Sequence, residues 1–142
     1  MGKNSRALGH TAAAVVGALV WVALTLPRQA AAEEVLDWNV AGIEAATAGG
    51  QNAVVLSRTV AMMHLAIHDA INAIDRRYQP YLYQGKAEPS AAPTAAIAAA
   101  ARDVLVGVIP AWGKPEQQAR ALALVEIAYT ADLAKVPDGL PK

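Results

Sequence analysis

The sequence contains no cysteine and no phenylalanine, and only 17% of its 142 residues are charged. Without cysteine no disulfide can contribute to stability, so the packing of helices must supply it. Hydrophobic residues nevertheless make up 55% of the chain, which excludes a disordered tail. Length and composition together predict one small alanine-rich domain rather than two.

The N-terminal region has the pattern of a secretory signal peptide. Lys3 and Arg6 precede an uncharged apolar run, TAAAVVGALVWVALTL, which is shorter than the ~20 residues that span a bilayer. Small residues then offer a cleavage site before Glu33. We therefore predict a signal peptide over 1–32, a helical domain over 33–142 and export to the periplasm or beyond. An uncleaved membrane anchor is the alternative.

Charge argues against a nucleic-acid partner. The whole chain balances 12 basic against 12 acidic residues. Loss of Lys3, Arg6 and Arg28 with the signal peptide would leave 9 basic and 12 acidic residues. No basic patch would remain to attract a phosphate backbone.

Capping signals predict two helices in the first half of the mature chain. Asp37 is the predicted N-cap of a short first helix, which the pair Gly49-Gly50 ends. Asn52 is the predicted N-cap of a second helix from about Ala53 to Arg76 or Arg77. Three tyrosines in the following segment YQPYLY are expected to pack that loop onto the helices.

The second half predicts two more helices. The segment TAAIAAAARDVLVGVI has the highest helix propensity in the chain, and Pro110 and Gly113 end it. A fourth helix starts near Pro115 and extends up to Val136. Because no alternating stretch of useful length occurs, the predicted fold is an all-α bundle of about four helices.

The segment SRTVAMMHLAIHDAINAID, from Ser57 to Asp75, is strongly amphipathic at about 100° per residue. Arg58, Asp69, Asn72 and Arg76 could form either a site or a buried network between helices, and the polar face as a whole carries groups that are capable of chemistry. These are Ser57, Arg58, His64, His68, Asp69, Asn72, Asp75 and Arg76.

The start of this segment resembles the last motif of type 2 phosphatidic acid phosphatases and vanadium-dependent haloperoxidases. That motif is Ser-Arg, five residues, His, three residues, Asp, and its aspartate orients the histidine from one turn away. Here His68 stands at that position, and Asp69 is rotated by about 140° from His64. The chain also has no Arg-Pro pair and no Pro-Ser-Gly-His. We therefore assign no catalytic, cofactor-binding or metal-binding residue.

A wider resemblance covers most of the chain beyond residue 35. VLDWN, GQN, the amphipathic segment and RRYQPYL, with IAYTADLAKVPDG near the end, resemble the N-terminal helical region of bacterial exported vanadium-dependent haloperoxidase-like proteins. His68 departs from the aromatic or apolar residue expected there. The resemblance implies a helical fold whose vanadate or phosphate site lies in a C-terminal part, so this chain is expected to be a truncated or split member, inactive alone.

Two other functions stay open. His64 and His68, at i and i+4, could chelate a transition metal, although two ligands are weak evidence and the rings could equally make surface or interhelical hydrogen bonds. An exported helical module could instead recognise a partner, which would be a missing C-terminal half or a second copy of the chain. In that case an apolar helix face would be left uncovered.

Overall fold

The computed structural model describes residues 31–140, and every regular element in that range is helical. Four α-helices follow one another: α1 over residues 31–48, α2 over Ala53–Ile74, α3 over Pro93–Val108 and α4 over Pro115–Lys135. A single 3₁₀ turn, Ile109–Ala111, extends α3. The predicted all-α bundle of about four helices is confirmed. The predicted signal peptide lies outside the described residues, apart from positions 31 and 32.

Helix α1 is longer than the sequence indicates. Asp37 lies inside it with an exposed side chain, so the prediction that Asp37 caps its start is wrong. The turn before Asp37 stays helical because the side chains of Glu34 and Trp38 are both buried against the rest of the fold. Gly49 and Gly50 end the helix as predicted, and Gly50 adopts a left-handed φ of 84°.

Asn52 caps α2 as predicted. Its side-chain oxygen accepts hydrogen bonds from the backbone amides of Val54 and Val55, both at 3.1 Å. The helix ends at Ile74, two or three residues earlier than expected. The reason is that the side-chain oxygen of Asn72 accepts from the backbone amides at positions 77 and 78, which replaces continuation of the helix.

The core is formed by all four helices and the 3₁₀ turn. Alanines of α3 face it, and small side chains let neighbouring helices approach closely. Its largest fully buried members are Trp38, Thr59, Met63, Ile97, Leu105, Ile109 and Val125. The main cluster draws its buried members entirely from residues 38–125.

A polar cluster, buried except for Lys135, joins the first half of α1 to the end of α4. The indole Nε1 of Trp38 donates to Asp132 Oδ2 at 2.7 Å, and Lys135 Nζ lies 2.8 Å from Asp132 Oδ1. Lys135 Nζ also donates to Glu34 Oε1 at 3.0 Å. Burial raises the pKa of Glu34, which the hydrogen bond from Lys135 opposes. Hydrogen bonds to Asp132 and Glu34 raise the pKa of Lys135.

Two described helical segments are long and apolar enough to cross a membrane, namely Ala53–Ile74 and Pro93–Ala111. Length and composition alone do not separate a membrane helix from a core helix. Both segments supply buried side chains to the core of this fold.

Two glycines test the packing between the helix ends. Gly113 has a φ of 72°, and a Cβ there would meet the carbonyl oxygen of Gly49. Gly107 is exposed within α3, and a Cβ there meets nothing within 4 Å.

We expect Gly113→Ala to lower the free energy of unfolding by about 1–3 kcal/mol. Gly107→Ala should raise it by about 0.5–1 kcal/mol. Urea denaturation of both variants measures this, and shifts of the same sign would contradict the packing described.

Candidate functional site

The carboxylate of Asp69 holds the loop that follows α2. Its Oδ1 accepts from the backbone amide of Tyr81 at 2.7 Å. Its Oδ2 accepts from the amides of Leu82 at 2.7 Å and Tyr83 at 2.8 Å. Three consecutive amides therefore converge on one side chain that is only 5% exposed.

Two more polar side chains, Asn72 of α2 and Arg76 just after it, hold the rest of this segment, residues 75–87, which we call the tyrosine loop. Asn72 donates to the carbonyl oxygen of Tyr78 at 2.8 Å in addition to accepting two amides. Arg76 donates to the carbonyl oxygens of Gln84 and Gly85, both at 2.8 Å. The loop is thus fixed through its backbone, along one face of α2.

The same contacts control the ionisation of Asp69. Hydrogen bonds from the backbone amides of Tyr83, Leu82 and Tyr81 stabilise the charged carboxylate and lower its pKa below the ordinary aspartate value. Burial acts in the opposite direction and is outweighed. Asp69 is therefore a carboxylate at neutral pH, and its charge is already matched by backbone donors.

The side chains of the tyrosine loop point outwards. Tyr81, Leu82 and Tyr83 are 70%, 82% and 58% exposed. Tyr78 is 69% exposed as well, although its ring centroid lies 6.0 Å from that of His68 on α2. The prediction that the three tyrosines pack the loop onto the helices is wrong, because backbone hydrogen bonds to α2 hold the loop instead. An ordered loop consequently presents three large side chains to solvent.

An apolar groove runs beside these side chains, between α2 and α3. It has a volume of about 700 Å³ and is partly open to solvent. We call it the α2–α3 groove. Its lining consists of Arg58, Met62, Leu65, Ala66, Asp69 and Ala70 from α2, Tyr81, Leu82 and Tyr83 from the loop, and Ala100 and Val104 from α3.

The two histidines of α2 make separate contacts. His64 Nε2 lies 3.0 Å from the side-chain oxygen of Asn39 on α1. His68 Nε2 lies 3.3 Å from the carbonyl oxygen of Gln79 in the tyrosine loop. With oxygen acceptors opposite both Nε2 atoms, each ring donates there, so a metal shared by the pair would need both Nδ1 atoms. Within residues 31–140 no group of three His, Cys, Asp or Glu side chains is placed to hold a metal ion.

The residues that spell most of a phosphatase motif do not converge. Ser57 Oγ donates to the carbonyl oxygen of Val54 at 2.8 Å, while Arg58 extends to the α2–α3 groove. His64 turns towards α1 and Asp69 towards the tyrosine loop. This divergence agrees with the rotation of about 140° expected for residues five apart on a helix.

The polar network predicted for this face exists in a different form. Asp69, Asn72 and Arg76 are hydrogen-bonded, but to loop backbone rather than to another helix, and Arg58 takes no part in it. The groove itself was not predicted. Met62 and Leu65, three residues apart and off the main apolar stripe, were the available sequence signal for it.

No protein-family model, curated protein or solved structure matches this chain. The resemblance to haloperoxidase-like and phosphatase-like proteins is therefore carried by the sequence motifs alone.

Removal of the charge of Asp69 should release the tyrosine loop. Asp69→Asn keeps the shape of the side chain but replaces one acceptor oxygen with a donor, which faces backbone donors. We expect amide hydrogen exchange at Tyr81, Leu82 and Tyr83 to accelerate by about tenfold or more. Asp75→Asn is the matched control, since Asp75 is exposed and, within residues 31–140, its side chain pairs with Arg77 alone. Equal rates of amide exchange in the two variants would contradict the role of Asp69 in holding the loop.

The depressed pKa of Asp69 also predicts a pH dependence. Its contribution to stability is complete above the unfolded-state pKa of about 4 and is lost as pH falls through the lower folded-state pKa. The difference in unfolding free energy between wild type and Asp69→Asn should therefore be constant from about pH 5 to 8 and shrink below about pH 4. Urea titrations at several pH values measure it. A difference that grows on acidification would contradict this assignment.

Proposed function

We propose that this chain is an exported helical module that recognises another polypeptide through the α2–α3 groove and the tyrosine loop. In this proposal it is related to the N-terminal helical region of vanadium-dependent haloperoxidase-like and type 2 phosphatidic acid phosphatase-like proteins. Export through the signal peptide over 1–32 belongs to the same proposal. A mature N-terminus at Glu33 in the exported protein supports it, and an intact Met1 contradicts it.

One observation carries the proposal, namely the commitment of Asp69 to the loop. A carboxylate that already accepts three backbone amides cannot also orient the ring of His64. An anion such as vanadate or phosphate further requires several convergent donors, and Ser57, Arg58 and His64 diverge. We therefore place the anion chemistry of such a protein outside this chain.

The surface that Asp69 organises has the properties of a recognition site. A loop whose backbone is already held in place loses little backbone freedom when a partner binds. Aromatic side chains are also the commonest strong contributors to protein interfaces. The groove beside them is apolar and open, which suits the apolar face of a helix better than a small ligand that must be enclosed.

Arg58 adds a charge preference to this surface. Within residues 31–140 it makes no ion pair, whereas the negative charge of Asp69 is matched by amides. The groove thus offers a cation at the N-terminal end of α2. A partner helix with acidic residues beside its apolar face is favoured.

Two measurements on the full chain test this function. We expect no bromide oxidation above a protein-free control when the chain is mixed with vanadate, peroxide, bromide and a phenol halogenation indicator. Turnover that disappears in His64→Ala would contradict the proposal. The metal-binding alternative predicts instead that zinc or copper binds and that His68→Ala abolishes the binding.

The groove is probed separately with the fluorescent apolar anion anilinonaphthalene sulfonate. We expect saturable binding that Leu65→Glu weakens by about tenfold, because the new carboxylate opposes both the apolar contact and the anion. Leu124→Glu is the matched control, since both leucines are 36% exposed and Leu124 lies on α4, away from the groove. Equal loss of fluorescence in both variants would count against the groove as a binding surface.

A further inference from the structure

A second uncovered apolar surface lies on the outer side of α1. Leu36, Val40 and Ile43 are 66%, 55% and 38% exposed. Their spacing of i, i+4 and i+7 places them on one line along the helix. We call these three residues the α1 stripe.

Acidic residues flank the α1 stripe on one side. At 100° per residue, Glu33, Asp37 and Glu44 fall within about 40° of one another, next to Val40. All three are exposed, and within residues 31–140 none of them forms an ion pair. The α1 stripe is therefore bordered by an acidic ridge, which we define by these three residues.

The α2–α3 groove has about the length of this surface, and Arg58 gives it one charge of the opposite sign. From Arg58 to Ala70 the α2 wall advances by about 18 Å, and from Glu33 to Glu44 the acidic ridge advances by about 16 Å. The groove is apolar and carries the cation of Arg58, while the α1 stripe is apolar and bordered by carboxylates. Opposite charges beside matching apolar surfaces favour association in one register.

The two surfaces do not meet within one copy of the chain. Helix α1 is held by Trp38, which lies on the side away from the stripe and bonds to α4, and by Asn39, which lies beside Ile43 and bonds to His64 of α2. The α1 stripe consequently stays exposed in the same fold in which the groove is open.

We infer that the α1 stripe of one copy docks in the α2–α3 groove of a second copy, with the acidic ridge beside Arg58. This inference rests on the proposed function, because it names the occupant of that recognition surface. The contact is head-to-tail, so each copy carries both halves of it. Three apolar anchors make a small interface, which corresponds to weak and concentration-dependent association.

Sedimentation velocity of the chain from residue 31 onward, with the full chain beside it, tests the inference. All buried members of the main core cluster lie in the retained part, and circular dichroism verifies the fold of each variant. We expect self-association at about 1 mM and mostly monomer at about 10 µM. Association seen only in the full chain would overturn the inference, since it would arise from residues 1–30.

Two variants separate the halves of the contact. Val40→Glu damages the α1 stripe and leaves the groove intact, whereas Leu65→Glu damages the groove and leaves the stripe intact. We expect each to be monomeric alone, while an equimolar mixture forms a one-to-one dimer through the remaining intact pair of surfaces. Leu124→Glu should associate like wild type. A mixture that stays monomeric would overturn the head-to-tail contact.

Charge reversal tests the register. Arg58→Glu should weaken association by about tenfold, and Asp37→Arg in the same chain should restore most of it. No restoration would place the acidic ridge away from Arg58 and overturn that part of the inference.

The outcome is distinguishable from failure of the proposed function. A chain that stays monomeric at about 1 mM but still binds anilinonaphthalene sulfonate in a manner sensitive to Leu65→Glu has a working groove with a different occupant. In that case the inference that a second copy occupies the groove is wrong, and the proposed recognition function stands. A chain that neither self-associates nor binds anilinonaphthalene sulfonate in this manner overturns both the inference and the proposed function.

Discussion

The carboxylate of Asp69 is the interaction on which the surface of this protein depends. It lies on the polar face of α2 and accepts three consecutive backbone amides of the tyrosine loop, each within 2.8 Å. Three amides held on one charge fix the loop without help from its side chains. Because the backbone does this work, Tyr81, Leu82 and Tyr83 are left free to form one wall of an apolar groove.

A second polar cluster holds α1 in place, as Asp69 holds the tyrosine loop. Trp38, Asp132, Lys135 and Glu34 tie α1 to the end of α4. With its inner side held in this way, α1 exposes an apolar stripe and an acidic ridge. Both polar clusters hold elements whose apolar side chains are exposed, namely the tyrosine loop and α1. Exposed apolar surfaces that are held in fixed positions are typical of binding sites for other molecules.

Helix geometry also explains why the residues that resemble a phosphatase motif do not form a phosphatase site. Residues five apart on a helix diverge by about 140°, so the carboxylate of Asp69 serves the loop while the ring of His64 serves Asn39 on α1. The polar face of α2 is thus divided between two structural tasks. The proposed recognition role would use this division directly, because Asp69 both holds the tyrosine loop and lines the α2–α3 groove.

Local chemistry made part of this architecture predictable from the sequence. Asn52 as the cap of α2, Gly49-Gly50 as the end of α1 and the absence of strands within residues 31–140 all follow from backbone preferences that act over a few residues. Only the polar residues of the site could be predicted, since the amphipathic pattern of α2 indicated Asp69 and Asn72 but not the groups that they bind. Those partners lie up to 14 positions away for Asp69, and 94 positions separate Trp38 from Asp132. The sequence by itself determined that four segments are helical, but the tertiary structure set where α1 begins and α2 ends. The tertiary structure alone also decided which polar groups are buried and which apolar faces stay open, because that depends on where the chain returns in space.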